Sequence, residues 1–216
     1  MSGWRLLTSI VPRGGGETVA AAANRAGADG GTVFLGAGTA PNAILQFLGL
    51  GESAKEIVLN VVPEGVAGAV LEAVAGAAGE ARARGIAFAT PIVAFVRSGD
   101  SAKTQWSPNM NESAESTAVV AIVNRDYADD ALAAARKAGA AGGTVLQARG
   151  TAKEGDAAFF GVKLVPEKDV LVILAPKEKA EGILEAIRTV PCFAEKGSGI
   201  VFAVEASGFT TLGGGK

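Results

Sequence analysis

Ala26-Gly27-Ala28-Asp29-Gly30-Gly31-Thr32-Val33 and Ala138-Gly139-Ala140-Ala141-Gly142-Gly143-Thr144-Val145 are the same sequence but for Asp29 against Ala141, 112 residues apart. Each follows a run of alanines with strong helix preference. Gly27 and Gly139 stand where a left-handed residue closes a helix, and Thr-Val opens a strand. Working outward, Ile10-Val11-Pro12-Arg13 has its counterpart in Ile122-Val123-Asn124-Arg125, and Gly38-Thr39 in Gly150-Thr151, at the same offset. After a loop the match resumes one residue later, with Lys55-Glu56-Ile57-Val58 against Lys168-Asp169-Val170-Leu171 and Pro63 against Pro176. Gly85-Ile86-Ala87-Phe88 then matches Gly199-Ile200-Val201-Phe202. The period is far longer than the roughly 20–50 residues of a solenoid unit, so a whole domain is duplicated.

Within each copy the apolar pattern resolves into six elements. In the second copy Ala118–Asn124 is a short Val/Ile-rich run and reads as a buried strand. Asp126 stands where a helix N-cap belongs, ahead of Ala131–Ala135. Thr144–Gln147 is a second strand, and Val170–Leu174 a third that is apolar on both faces. Pro176 suits a helix first turn, and Lys179–Arg188 carries Ile183, Leu184 and Ile187 on one face. Ile200–Val204 is the last strand. The first copy repeats the order with strands near Leu6–Val11, Val33–Leu35, Glu56–Val62 and Ile86–Ala89, and helices near Glu17–Ala26 and Glu64–Ala77. Strand-helix-strand-strand-helix-strand, twice, is an α+β fold of two tandem ferredoxin-like domains with antiparallel sheets. The expected division is residues 1–97, a linker over 98–116, and residues 117–216. The linker is polar except for Trp106, whose apolar area favours docking on a domain.

Composition narrows the function classes. The chain has 216 residues, 49% of them hydrophobic and 19% charged, enough to bury a core in each copy. A net charge of −2 without a basic stripe argues against nucleic acid as the main partner. No apolar run is long enough for a membrane span, and Met1–Arg5 does not read as a signal peptide. A single cysteine, Cys192, excludes an intramolecular disulfide and fits the cytoplasm. The sequence has no histidine, which removes the commonest general base and transition-metal ligand together. No nucleophile–base set or metal-ligand cluster emerges, so the reading is a sensor or regulator and not an enzyme.

The opening Ile-Val-x-Arg, the helix exit Ala-Gly-Ala-x-Gly-Gly-Thr-Val and the element order resemble the PII superfamily, the nitrogen regulatory protein P-II and its relatives, over nearly all of both copies. The resemblance implies a trimeric signal-transduction protein. Its ligands, usually adenine nucleotides, bind in clefts between subunits, lined by the base of a long loop and by a glycine loop. Carried over residue by residue, it makes Thr144 and Thr32 the threonines near adenine, and Gly150 and Gly38 the glycines that start the long loop. Lys153 stands where an arginine is usual, and Lys168 and Lys55 lie at the loop's far end. Gly197 and Gly199 become glycines of the second loop, a backbone arrangement able to cradle phosphate. The first copy keeps only Gly85 there, near Arg82 and Arg84.

There are departures from the family pattern. The glycine loop reads Phe193-Ala194-Glu195-Lys196-Gly197-Ser198-Gly199-Ile200, so the family's closing lysine is Ile200. No arginine follows in Ser207–Gly215, and Glu154 replaces the glutamine associated with 2-oxoglutarate. The second copy's long loop has no tyrosine to modify. Phosphate recognition is thereby depleted.

Each candidate has a plainer reading. Gly30-Gly31 and Gly142-Gly143 serve either close ligand approach or helix-to-strand turns. Gly197-Ser198-Gly199 is a phosphate loop or a short connection before a strand. Lys168 and Lys55 meet an anion or are solvated. Glu154 and Asp156 fit a solvated loop better than a paired-carboxylate site, and Cys192 fits an apolar filler better than a reactive thiol. Phe159-Phe160 is a partner-docking site or a loop anchor.

The expected function is a regulator sensing a small anionic or adenine-nucleotide ligand in intersubunit or interdomain clefts, with no cofactor required. It would report to a protein target through loop 150–168. The second copy would carry the principal site. The first, whose Ala43–Leu50 segment is apolar, would be mainly structural. A homotrimer of six modules is the expected assembly. A structural or adaptor protein with closed clefts is the competing reading, and an enzyme the third.

Overall fold

The first repeat opens on Trp4–Pro12 (β1), whose alternate residues Leu7, Ser9 and Val11 are buried. A strand with one face against a core reads this way. The protein is described by a computed structural model covering residues 3–38, 53–80, 85–100, 104, 106–107, 115–151, 158–159, 162–163 and 166–206. β1 is followed by Gly16–Arg25 (α1), Thr32–Gly38 (β2), Ser53–Pro63 (β3), Glu64–Glu80 (α2) and Ile86–Ile92 (β4). β3 pairs antiparallel with β1 from Trp4–Pro63 to Pro12–Lys55, and with β2 from Thr32–Leu59 to Gly38–Ser53. The order β4-β1-β3-β2 is that of a ferredoxin-like sheet. Leu7, Val11, Val33, Val58 and Val62 meet Val19, Ala20 and Ala23 of α1 and Val70 and Val74 of α2 in one core, so both helices cover the same face.

The second repeat contains Ser116–Asn124 (β6), Ala128–Lys137 (α3), Thr144–Gly150 (β7), Glu167–Pro176 (β10), Lys177–Arg188 (α4) and Gly199–Ala206 (β11). Ala158–Phe159 (β8) and Val162–Lys163 (β9) form a two-residue ladder within the long loop. The order β11-β6-β10-β7 repeats that of the first copy. Ile183, Leu184 and Ile187 of α4 are fully buried against Val119, Ala121, Leu171, Ile173 and Val201. Each such side chain contributes about 1.5–3 kcal/mol on leaving water. Ala131 and Ala135 of α3 have no exposed surface, and their small size lets that helix lie close on the sheet.

Two compact units result. One comprises residues 1–91 with 147–168, the other residues 92–146 with 169–216. The expected end of the first copy at residue 97 differs from this division. Ala94–Arg97 (β5) pairs with β11, from Ile200–Arg97 to Ala203–Ala94, and so belongs to the second unit. The expected linker begins there as well: Ser98 N–H donates to Gly199 O at 2.9 Å and Gly99 N–H to Phe193 O at 2.8 Å. Trp106 docks as expected, bridging to Ala94 and packing on the second core.

Helix α3 starts differently from expectation. Asp126 is not its N-cap; α3 follows Tyr127, and Asp126 takes a left-handed φ of +75°. Gly14, its counterpart in the first repeat, has φ +89°. Aspartate tolerates this region better than most residues do. What the turn gains is an Asp126 N–H aimed at Asp169, 2.9 Å away. Pro176 ends β10 and caps α4, one residue ahead of the first turn. Among the described residues no helix is long and apolar enough to cross a membrane.

Candidate functional site

Strand alternation sorts the repeated Lys-acid pair to opposite faces. Val58 and Val62 of β3 enter the core under the helices, so Glu56 faces the helices and Lys55 the open side of the sheet. In β10, Asp169 shares the side of Leu171 and Ile173, and Lys168 takes the other. Both acids are buried, and both hold the entrance to the first helix of their repeat. Glu56 Oε2 accepts from Gly14 N–H at 3.1 Å and Gly16 N–H at 2.7 Å; Asp169 accepts from Asp126 N–H. A carboxylate at a helix N-terminus satisfies otherwise orphan donors and meets the positive end of the dipole. The sequence reading missed these acids. The signal was present in the repeat itself, as a carboxylate at the same place on the helix-facing side of two strands.

The lysines mark the base of the long loop. Gly150 N–H donates to Pro166 O at 2.8 Å, joining the ends of β7 and the segment leading into β10. A side chain at Gly150 would place its Cβ 2.9 Å from Pro166 Cγ and 3.6 Å from Lys168 Cε. Glycine is needed for the two ends to close, and Lys168 lies across the junction. Gly150 and Lys168, singled out separately, are therefore brought together. In the first repeat Gly38 faces Ser53 and Gly36 faces Lys55 across the β2–β3 ladder.

The other candidates separate. Thr32 is buried, opposite Leu59 and Gly150, whereas Thr144, its repeat partner, is exposed at the start of β7. Gly197 has φ +88°, is exposed, and has nothing within 4 Å of a would-be Cβ. Gly199 is buried in the ladder, its N–H 3.1 Å from Ser98 Oγ. Its Cβ would lie 2.9 Å from Ile122 O, as that of Gly85 would collide with Ile10 O. The repeat thus keeps a glycine where the last strand crosses closest to the first. β7 and β11 are three strand spacings apart in the sheet, about 14 Å, so Thr144 and Gly199 do not line one pocket within a single unit. Lys153, Glu154 and Asp156 lie outside the described residues.

The paired glycines have a packing role. A Cβ at Gly31 would meet Asn60 Nδ2 at 2.5 Å, and one at Gly143 would meet Leu171 Cδ1 at 2.7 Å. The helix-to-strand turn passes directly over the third strand in both repeats. A groove of about 590 Å³ on the helix side of the second unit, between Ala133, Ala134 and Ala138 of α3 and Ala186 and Val190 near the end of α4, contains none of the candidate residues.

Residues 116–213, just under half of the chain, match the model of the family described as Nitrogen regulatory protein P-II. No curated protein matches. Among solved structures, the ligand-free regulatory subunit of aspartate kinase from Thermus thermophilus aligns at 16% identity and a TM-score of 0.39, covering 88% of this chain and 94% of that one. An unknown protein from Galdieria sulphuraria aligns at 10% identity and a TM-score of 0.29, covering 95% and 99%. The fold assignment rests on the strand order and the cores, not on these two. The matched span is the whole second repeat, β6 through β11, with the Gly150–Lys168 junction inside it, and by that domain the chain is similar to the P-II family.

Proposed function

We propose that this protein is a cytoplasmic PII-like regulator that binds a small anionic or adenine-nucleotide ligand and signals through the 150–168 loop. The observation that carries the reading is the closed loop base, where Gly150 and Lys168 meet inside the span matched by the family. A cation placed across the root of a long loop can report a bound anion to that loop. Thr144 and Gly197 supply an exposed hydroxyl and a solvent-exposed, left-handed turn in the same repeat. Their separation in the sheet supports clefts completed by another subunit, as the family resemblance implies. Residues 1–97 and 117–216 would be the two PII-like modules, and three chains would bring six of them. Leu146 and Leu174, 43% and 40% exposed on the sheet side away from the helices, are apolar surface that such closure would cover. No resident cofactor is required.

A thermal-shift screen with adenine nucleotides, bicarbonate and 2-oxo acids tests the reading. A ligand at about 100 times its Kd stabilises the folded state by about 2.7 kcal/mol. A shift with any of them identifies the ligand class; no shift at millimolar concentration with any of them defeats the sensor reading. The adaptor reading has its own observation: Thr32 is buried and the Gly199 N–H is already bonded. It predicts no shift, together with a protein partner whose binding is lost when residues 150–168 are replaced.

A further inference from the structure

Three consecutive residues at the end of β7 reach into the first unit, to which residues 147–168 belong. Arg149 lies opposite Val33 and turns to the helix side, where its guanidinium donates to Glu56 Oε1 at 3.2 Å. Gly150 lies opposite Thr32 in the same ladder. Thr151 N–H donates to Gly31 O at 2.8 Å, and Gly31 N–H donates to Thr151 Oγ1 at 2.7 Å. The Glu56 side chain is only 7% exposed, and its second oxygen holds the first turn of α1 through Gly14 and Gly16. One carboxylate therefore serves two masters, the entrance of α1 and the root of the long loop.

We propose that Glu56 is a mechanical coupling between the first turn of α1 and the loop base at Arg149–Thr151, with Arg149 as its positioning residue. Any displacement of the carboxylate at one end releases the other. The two oxygens belong to one rigid group: Oε2 cannot follow a shifted helix entrance without carrying Oε1 away from the guanidinium. Partly buried charge-assisted bonds of this kind are stronger than neutral ones, so the link is not a passive contact. Coupling of this sort is reciprocal. It is a property of the ligand-free chain and stands apart from the identity of any ligand.

The test perturbs one end and reads the other. A Cβ at Gly16 would lie 2.6 Å from Glu56 Oε2 and 3.2 Å from its Cδ, so Gly16→Ala pushes the carboxylate away without touching residues 147–168. Hydrogen exchange is followed on the full-length, ligand-free chain. Amide exchange at Gly150 and Thr151 should quicken about tenfold in Gly16→Ala, the loss expected of one charge-assisted bond, while the α4 amides keep their rate. Arg149→Met should give the same increase, and Arg149→Lys a smaller one. If Arg149→Met does not fold, Gly16→Ala, which suits a helix first turn, decides alone. Wild-type rates at Gly150 and Thr151 in Gly16→Ala overturn the proposal. So does an increase in Arg149→Met with none in Gly16→Ala, because the ion pair would then be purely local.

Discussion

The two glycines of the second repeat's final loop invite one decisive comparison. Gly199→Ala places a Cβ 2.9 Å from Ile122 O and 3.3 Å from both Phe193 Cζ and Val123 Cγ1. The first contact is about 0.4 Å inside the shortest comfortable C–H···O approach of about 3.3 Å. Ile122 O is backbone in β6, which is paired with β11 along its whole length, so no side-chain rotation relieves the clash. Overpacking of this kind costs about 2 kcal/mol. For a unit of about 100 residues that lowers Tm by about 8–16 °C. Gly197→Ala meets nothing within 4 Å; its only penalty is the φ of +88°. That is worth about 1 kcal/mol, or half the effect. Differential scanning calorimetry and urea unfolding of both variants measure the order directly. A Gly199→Ala protein within 0.5 kcal/mol of wild type, or one more stable than Gly197→Ala, would refute the argument that Gly199 is kept for strand crossing. Ligand binding should respond in the reverse order, because Gly197 is solvent-exposed on a left-handed turn while Gly199 is buried in the ladder; a binding loss confined to Gly199→Ala at matched folded fraction would restore it as a ligand residue.

Lys168→Ala should weaken binding of whichever ligand the screen identifies about tenfold, and Lys55→Ala by less than threefold; equal losses in titration calorimetry would sink the division of labour between repeats. Asp169→Ala should cost about 1–3 kcal/mol in urea unfolding, since it leaves the Asp126 N–H without its buried acceptor, and a change below 0.3 kcal/mol would show that the carboxylate is dispensable. Light scattering coupled to size exclusion should return three times the 21.5 kDa chain mass at micromolar concentration, and a monomeric mass would remove the trimer.

The sequence alone carried the duplication, the element order and the faces of the elements. These are local properties. Alanine runs closed by Gly27 and Gly139, the Val/Ile pattern of Ala118–Asn124 and the Ile183-Leu184-Ile187 stripe each encode a period or a stop without reference to the rest of the chain. Trp106 was legible too, because so much apolar area is unfavourable in water. What the tertiary structure decided concerns groups whose partners are distant. Glu56 meets Arg149 across 93 residues and Gly16 across 40, and nothing in its neighbours announces either. Asp126 looked like a helix cap because caps are local; it became a left-handed turn because a carboxylate 43 residues away accepts its N–H. The same division runs through the candidate site. Repeat alignment could place Thr32 with Thr144, and the glycine loop could place Gly197 with Gly199, as chemically equal pairs. Only strand pairing buried Thr32 and left Thr144 exposed, and set Gly199 against Ile122 O while Gly197 stayed open, because burial depends on which strand lies alongside and not on the residue itself.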